Sequence, residues 1–254
     1  MSTLANAMDV LKLIVRLRRD ITMTDLVAEL DYPKSSASRT LSLMAEHGFL
    51  ERDAVTKAYR PGSVVMEASF HFRSSTTVSS LLEDALDALV ADTGFTGYLD
   101  VLRGNESVVL QMRPGKHPLQ VYTPPGTGGP AYGSSMGRAL LSRLTDSEIL
   151  ELVGNAFDDA RGLAPKTPKD LLKRIAQTRI EGVAESRGEL VPHVAGISAA
   201  VLDSATGQIF GIGIAVPEQE VSDALFKRFA ARVREAAFSV GKRVGDPYWL
   251  QFAG

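Results

Sequence analysis

The chain has 254 residues, of which 44% are hydrophobic and 23% are charged, and its formal net charge is -2. This length suits two domains with cores of their own, and the ordinary composition excludes disordered and fibrous proteins. There is no cysteine, and the four histidines lack metal-ligand spacing. We therefore expect a cytoplasmic protein with no disulfide, no thiolate catalysis, no metal site and no cofactor.

The first 60 residues predict three helices followed by a hairpin. Residues 4–18 carry apolar residues at helical spacing, which predicts an amphipathic helix and not a signal peptide. Thr22 can cap a second helix, and Pro33 is suited to open a third helix that runs to about His47 and stops at Gly48. The segments FLERD and AYRPG predict two short strands. This order of elements is that of a winged helix-turn-helix domain, in which the second helix of the pair enters a DNA major groove.

The third predicted helix has one apolar face and one face of small hydroxyls and cations. Its buried face is marked by Ala37, Leu41 and Met44, and the opposite face carries Lys34, Ser35, Ser38, Arg39 and Ser42. No acid occurs between Asp31 and Glu46. The face is either a solvated helix surface or a surface that meets phosphates, which an acid would repel. The surrounding order of elements favours DNA.

The remainder of the chain predicts an α+β domain with an antiparallel-rich sheet. Residues 62–92 read as helical with a joint near 74–77, and GYLDVLRG, ESVVLQMR and LQVYTPPG alternate like strands. Two further strands, VAGISAAVLDS and IFGIGIAVP, are joined by a turn-like tetrad. The remaining helices are predicted at Ser134–Leu144, Asp146–Val153, Pro168–Glu181 and Ser222 to about Val244. No apolar stretch is long enough to cross a membrane, so we expect no membrane partner.

The pentapeptide GSSMG, residues 133–137, fits the nucleophile-elbow pattern of hydrolases. Ser135 would be the nucleophile, with Asp158 or Asp159 and then His193 completing a triad in hydrolase order. The elbow needs a buried strand before the serine, whereas TPPGTGGPAY precedes it here, so we predict no catalytic residue. The alternatives are a plain helix cap and a helix N-terminus whose free N–H groups bind an anion such as a ligand carboxylate.

Several segments together resemble the IclR-type transcriptional regulators of bacteria. They are MTDLVAELDYPKSSASRTLSLMAEHGFLERD, AYRPG, TGFTGYLDVLRGNESVVL, GSSMGRALL and VAGISAAVLDSATGQIFGIGIAV, and they cover nearly the whole chain in the right order. The resemblance implies a winged helix-turn-helix DNA-binding domain at 1–61, a linker helix at 62–77 and a GAF-like α+β effector-binding domain at 78–254. It also implies a homodimer or homotetramer in which a small-molecule effector alters binding to a double-stranded DNA operator.

The resemblance also implies site residues. The DNA-binding set is Lys34, Ser35, Ser36, Ser38 and Arg39 on the third helix, with Arg52, Lys57 and Arg60 on the wing. The wing cations can equally be solvated hairpin charges. The effector-binding set is Gly133, Ser134, Ser135 and Met136, with Glu189, His193, Ile197 and Ser198 as weaker candidates. The family often has glycine, cysteine and proline where this chain has His193, Gly196 and Ala200.

These observations predict a ligand-responsive regulator, more specifically a repressor of a catabolic operon that responds to a small organic acid. The apolar stripe Val64, Val65, Ala68 and Phe72 is the expected dimer contact. The rival hypothesis is a small-molecule sensor or hydrolase whose helix-turn-helix contacts protein.

Overall fold

The computed structural model of the chain describes residues 3–17, 19–74, 77–154, 157 and 163–252, without the side chains of residues 69–74 and 77. The contacts within the chain divide it into two compact units between residues 76 and 77. The predicted role of the Phe72 side chain, and the alternative triad acids Asp158 and Asp159, therefore lie outside the described residues.

The first unit has the predicted order of elements. Helices α1 (Thr3–Leu17), α2 (Met23–Leu30) and α3 (Lys34–Glu46) precede a hairpin of β1 (Leu50–Arg52) and β2 (Tyr59–Pro61), and α4 (Ser63–Ser74) follows. Thr22 caps α2 through a reciprocal capping box with Asp25, and Pro33 precedes the first residue of α3. Because these start signals are local, the sequence places both helices correctly.

A small apolar core holds the three helices and the hairpin together. Its fully buried members include Val10 and Leu13 of α1, Leu26 of α2 and Leu41 of α3. The predicted apolar stripe of α1 is confirmed, because Val10 is buried and Ala7, Leu11, Ile14 and Leu17 pack against this core, and Leu13 is buried as well. Burying each such side chain contributes roughly 1.5–3 kcal/mol. The core therefore holds α3 against α1 and α2, with the opposite face of α3 turned to solvent.

The second unit is a six-stranded antiparallel sheet with helices on both faces. Its strands are β3 (Thr96–Arg103), β4 (Glu106–Arg113), β5 (Gly128–Pro130), β6 (Ala184–Arg187), β7 (Val194–Leu202) and β8 (Ile209–Pro217), in the order β5-β4-β3-β8-β7-β6. Its helices are α5 (Thr77–Thr93), α6 (Ser135–Leu141), α7 (Asp146–Val153), α8 (Pro168–Glu181), α9 (Asp223–Arg243) and α10 (Pro247–Leu250). The predicted α+β architecture is confirmed.

The two faces of the sheet carry different chemistry. One face packs on α5 and α9 through the main apolar core, to which β3 contributes Leu99 and Val101. The other face packs on α6, and here β3 contributes Tyr98. Because side chains alternate along a strand, Asp100 shares the face of Tyr98. This second face contains the cavity described below.

The structure differs from the prediction at residues 119–126, which form no strand. Pro124 and Pro125 have no backbone N–H, so the end of this segment cannot donate to a ladder, which disfavours a regular strand here. The short strand β5 pairs with β4 in its place. The helix predicted at Ser134–Leu144 is also shorter in the structure, where α6 covers Ser135–Leu141.

None of the described helices combines the length and apolar character that crossing a bilayer requires.

Candidate DNA-binding and ligand-binding sites

The face of α3 opposite the core is exposed and acid-free. Lys34, Ser35, Ser38 and Arg39 are exposed, and Ser36 is half-buried. Neither cation on this helix forms an ion pair with any residue that the structure describes. Two free cations beside short hydroxyls allow the helix to approach a polyanion closely and to contact phosphate or base edges.

The three wing cations are exposed, but they differ in the contacts that they form within the first unit. Arg60 donates to Glu51 on the neighbouring strand, with Nη2 3.0 Å from Oε1. Lys57, which has a φ of 60°, donates from Nζ to the Ala54 carbonyl oxygen at 2.7 Å. The guanidinium of Arg52 lies over the Tyr59 ring, 5.4 Å from its centroid. A phosphate would have to compete with Glu51 for Arg60, whereas Arg39 has no such competitor.

A cavity of about 170 Å³ lies between the sheet and the segments around α6. Strands β3 and β4 contribute Tyr98, Asp100, Ser107 and Val109, and the start of α6 contributes residues 134–136. The remaining lining residues are Val121, Thr123, Thr127, Gly128, Gly129, Ser186, Leu190, Val191, Val194, Gly196, Ser198, Gly213, Ile214 and Ala215. This mixture of apolar walls and a few hydroxyls is typical of a site for a small organic molecule.

The two serines at the start of α6 have different roles in the structure. Ser134 is the N-cap, and its Oγ accepts a hydrogen bond from the Gly137 N–H at 3.0 Å. Ser135 is buried, and its Oγ lies 3.0 Å from Ser198 Oγ on β7. Both serines, Met136 and Ser198 line the cavity. These four are therefore brought together as the sequence predicts.

The other four predicted effector residues do not line the cavity. Gly133 lies in a short 3-10 helix before α6, and His193 is exposed in the loop before β7. Ile197 points to the opposite face of the sheet, where it is fully buried in the core against α5 and α9. Its predicted place in the cavity wall is therefore corrected, since its neighbour Ser198 takes the cavity side.

Glu189 is also occupied elsewhere. Its carboxylate forms an ion pair with the buried Arg138 at 2.6 Å and another with Arg174 at 2.5 Å. Burial lowers the pKa of Arg138, and the charge of Glu189 opposes that change. The carboxylate therefore stabilises a buried guanidinium, and its prediction as an effector-binding candidate is corrected by this structural role.

The sequence reasoning missed an acidic residue of the cavity wall, Asp100. Asp100 is only 5% exposed, and its Oδ2 accepts a hydrogen bond from Ser107 Oγ at 2.7 Å. Burial raises the pKa of Asp100 to about 6, and the Ser107 hydrogen bond opposes the rise. The available signal was the period of two in GYLDVLRG, which sets Asp100 on one face with Tyr98 inside an otherwise apolar strand.

The geometry around Ser135 is not that of a nucleophile elbow. A 3-10 helix, and not a buried strand, leads into residue 135. Among the described residues the hydroxyl has a serine as its partner and no base, and His193 is exposed and outside the cavity. A nucleophilic serine needs a base within hydrogen-bond reach.

Comparisons with known proteins cover both units. Residues 3–54 match the model described as the IclR helix-turn-helix domain, and residues 70–242 match the model of the bacterial transcriptional regulator IclR C-terminal domain. The regulator BhcR of Paracoccus denitrificans is 26% identical over 92% of this chain and 84% of its own. The repressor AllR of Salmonella typhimurium is 26% identical over 88% of this chain and 83% of its own.

A solved structure shows the same fold. It is an IclR homolog from Microbacterium hydrocarbonoxydans complexed with 4-hydroxybenzoate, and it superposes with a TM-score of 0.82 at 19% identity, covering 96% of this chain and 99% of that one. The relatives and family models are those of transcriptional regulators and not of enzymes.

Proposed function

The chain belongs to the IclR family of bacterial DNA-binding transcriptional regulators, and from this premise we propose that it is a repressor of a catabolic operon, released by a small organic acid that binds the cavity of its second unit. The observation that carries the proposal is the cavity itself. At about 170 Å³ it can hold a molecule of about the size of benzene, and it lies in the second unit, whereas the match to the helix-turn-helix model lies in the first. The AllR relative carries the name repressor, which supports repression and not activation as the proposed effect on transcription.

The operator contacts are proposed to come from α3, with Arg39 and Lys34 as cations and Ser35, Ser36 and Ser38 allowing close approach. Arg52, Lys57 and Arg60 would contribute phosphate contacts from the wing. One such domain reads only a short half-site, so we propose a homodimer or homotetramer acting in the cytoplasm. The stripe of α4 supports a dimer contact, because Val64 and Val65 are only half-buried and Ala68 is exposed.

The proposed ligand carboxylate would be held at the start of α6. The described lining of the cavity includes no lysine or arginine. A carboxylate there must be bound by hydroxyls and by backbone N–H groups, such as those of the first turn of α6, which have no intrahelical acceptor. Affinity would then come from hydrogen bonds and from burial against Met136, Val109 and Leu190.

The test is a titration of operator binding by the full-length protein. Fluorescence anisotropy with DNA from beside the gene would be measured as small carboxylates are added, for wild type and for Ser135→Leu. Because Ser135 is buried on the cavity wall, leucine should fill the cavity, so the variant should bind operator normally and fail to release it. The matched control Ser147→Leu, on the exposed side of α7, should respond like wild type.

Two outcomes would contradict the proposal. If Ser135→Leu releases operator at the same acid concentration as wild type, the effector does not occupy this cavity. If no carboxylate weakens operator binding, the organic-acid part of the proposal is wrong.

A further inference from the structure

Asp100 has an unsatisfied hydrogen-bonding atom on the wall of the cavity. Oδ2 accepts from Ser107 Oγ, but Oδ1 is buried and has no partner among the described residues. A carboxylate accepts several hydrogen bonds when ionised, and a buried acceptor without a donor is unfavourable. In the interior of a domain such an atom needs an explanation, and here it lies beside empty space that a small molecule can fill.

No basic side chain lies near enough to neutralise Asp100. No ion pair is formed by this carboxylate within the described chain, and the cavity lining there includes neither lysine nor arginine. Tyr98 is the other ionisable group of the lining, and its hydroxyl donates to the Val121 carbonyl oxygen at 2.6 Å. An occupant of the cavity is therefore well placed to supply the donor that Oδ1 lacks.

We propose that Asp100 determines the specificity of the cavity by accepting a hydrogen bond, through Oδ1, from a hydroxyl or N–H group of the effector. The inference rests on the proposed function and narrows it: the effector is a small organic acid that also carries a hydrogen-bond donor. Ser107 acts as a positioning residue, since its hydroxyl holds Oδ2 and so orients Oδ1. A ligand without the donor would leave the carboxylate unpaired, and the site would reject it for that reason.

The experiment compares acids that differ only in the donor. Isothermal titration calorimetry of the full-length protein would use benzoate, 4-hydroxybenzoate and 4-aminobenzoate as one series, and propionate and lactate as another. In at least one series the acid with a donor should bind wild type roughly tenfold to a hundredfold more tightly than its parent, as expected for a hydrogen bond to a charged group. The hydroxyl and amine members of the benzoate series separate the two kinds of donor.

The matched variants assign this preference to one atom. Asp100→Leu has a similar shape without an acceptor, so the preference for the donor should be lost. The parent acid should bind this variant more tightly than wild type, because no carboxylate is left unpaired, and the acid with a donor should bind no better than its parent. Asp100→Asn keeps a neutral acceptor and should retain only part of the preference. This variant tests the same inference if the leucine variant does not fold. Asp84→Leu, an exposed acid on α5, should bind as wild type does.

The outcomes separate this inference from the proposed function. If parents and donor-bearing acids bind alike, or if both Asp100 variants keep the full preference, the inference is wrong, although operator release by acids could still hold. If Asp100 confers the preference but no bound acid alters operator affinity, the inference stands and the proposed function fails. If no acid of either series binds, both are overturned.

Discussion

Replacing Asp100 with asparagine should stabilise the second unit at neutral pH. Burial raises the pKa of this carboxyl from 3.8 to about 6, so the folded state holds a proton more tightly than the unfolded chain does. Stability linked to that proton is fully present below about pH 4 and is lost as the pH rises through about 6. A difference of about two pKa units corresponds to about 3 kcal/mol above pH 6.

Asparagine removes the charge and keeps the shape, so it should recover part of this free energy. Its amide oxygen can still accept from Ser107, but its N–H groups need acceptors of their own, which lowers the gain. We expect Asp100→Asn to raise the free energy of unfolding by about 1–3 kcal/mol at pH 8, with the difference from wild type shrinking toward pH 4.

The assay is urea unfolding at several pH values, followed by the fluorescence of Trp249. This is the single tryptophan of the chain and is buried in the second unit, so its signal reports that unit alone. Asp84→Asn, an exposed control, should stay within about 0.5 kcal/mol of wild type. A difference between Asp100→Asn and wild type that does not change from pH 4 to pH 8 would show that this carboxyl is neither desolvated nor unpaired.

Three further predictions concern other parts of the chain. Arg39→Ala should weaken operator binding by about 1–3 kcal/mol if the guanidinium contacts a base, whereas Arg60→Ala should cost less because its charge is already paired; anisotropy titrations would check this order. Removing the Glu189 carboxylate should destabilise the second unit by about 3–5 kcal/mol in urea, since Arg138 is then buried without its partner, and Arg174→Ala should cost far less. Light scattering at micromolar concentration should give a dimer or tetramer, and a monomer that still binds operator would contradict the proposed assembly.

Elements with local start and stop signals could be predicted from the sequence. Helices α7 and α8 begin and end where the prediction placed them, because Thr145 and Thr167 cap their first turns and glycine follows each last residue. The hairpin of the first unit likewise followed from two short strand-like segments, FLERD and AYRPG, that lie close together in the sequence. In these places the information lies within a few residues of the chain, so no tertiary contact is needed to read it.

The candidate site was harder because its chemistry depends on contacts between distant residues. Strand β7 is buried on both faces, so the alternation of side chains cannot reveal which face Ile197 takes. The role of Glu189 depends on Arg138, which is 51 positions earlier in the chain. Asp100 was missed for the same reason: an acid in a strand is expected at the surface, and only the packing of α6 over the sheet buries it.

Gly196 on β7 and Ser135 on α6 lie against each other at the cavity wall, so the residue at one position limits the residue at the other. A Cβ atom at Gly196 would lie 2.5 Å from Ser135 Oγ, so glycine on the strand is what allows a hydroxyl on the helix. The resemblance places cysteine at position 196 in many family members, and a thiol there would occupy the volume that Ser135 Oγ fills here. Any side chain at position 196 would therefore need the volume that the Ser135 hydroxyl fills, so glycine on β7 is what allows this serine to stand on the cavity wall.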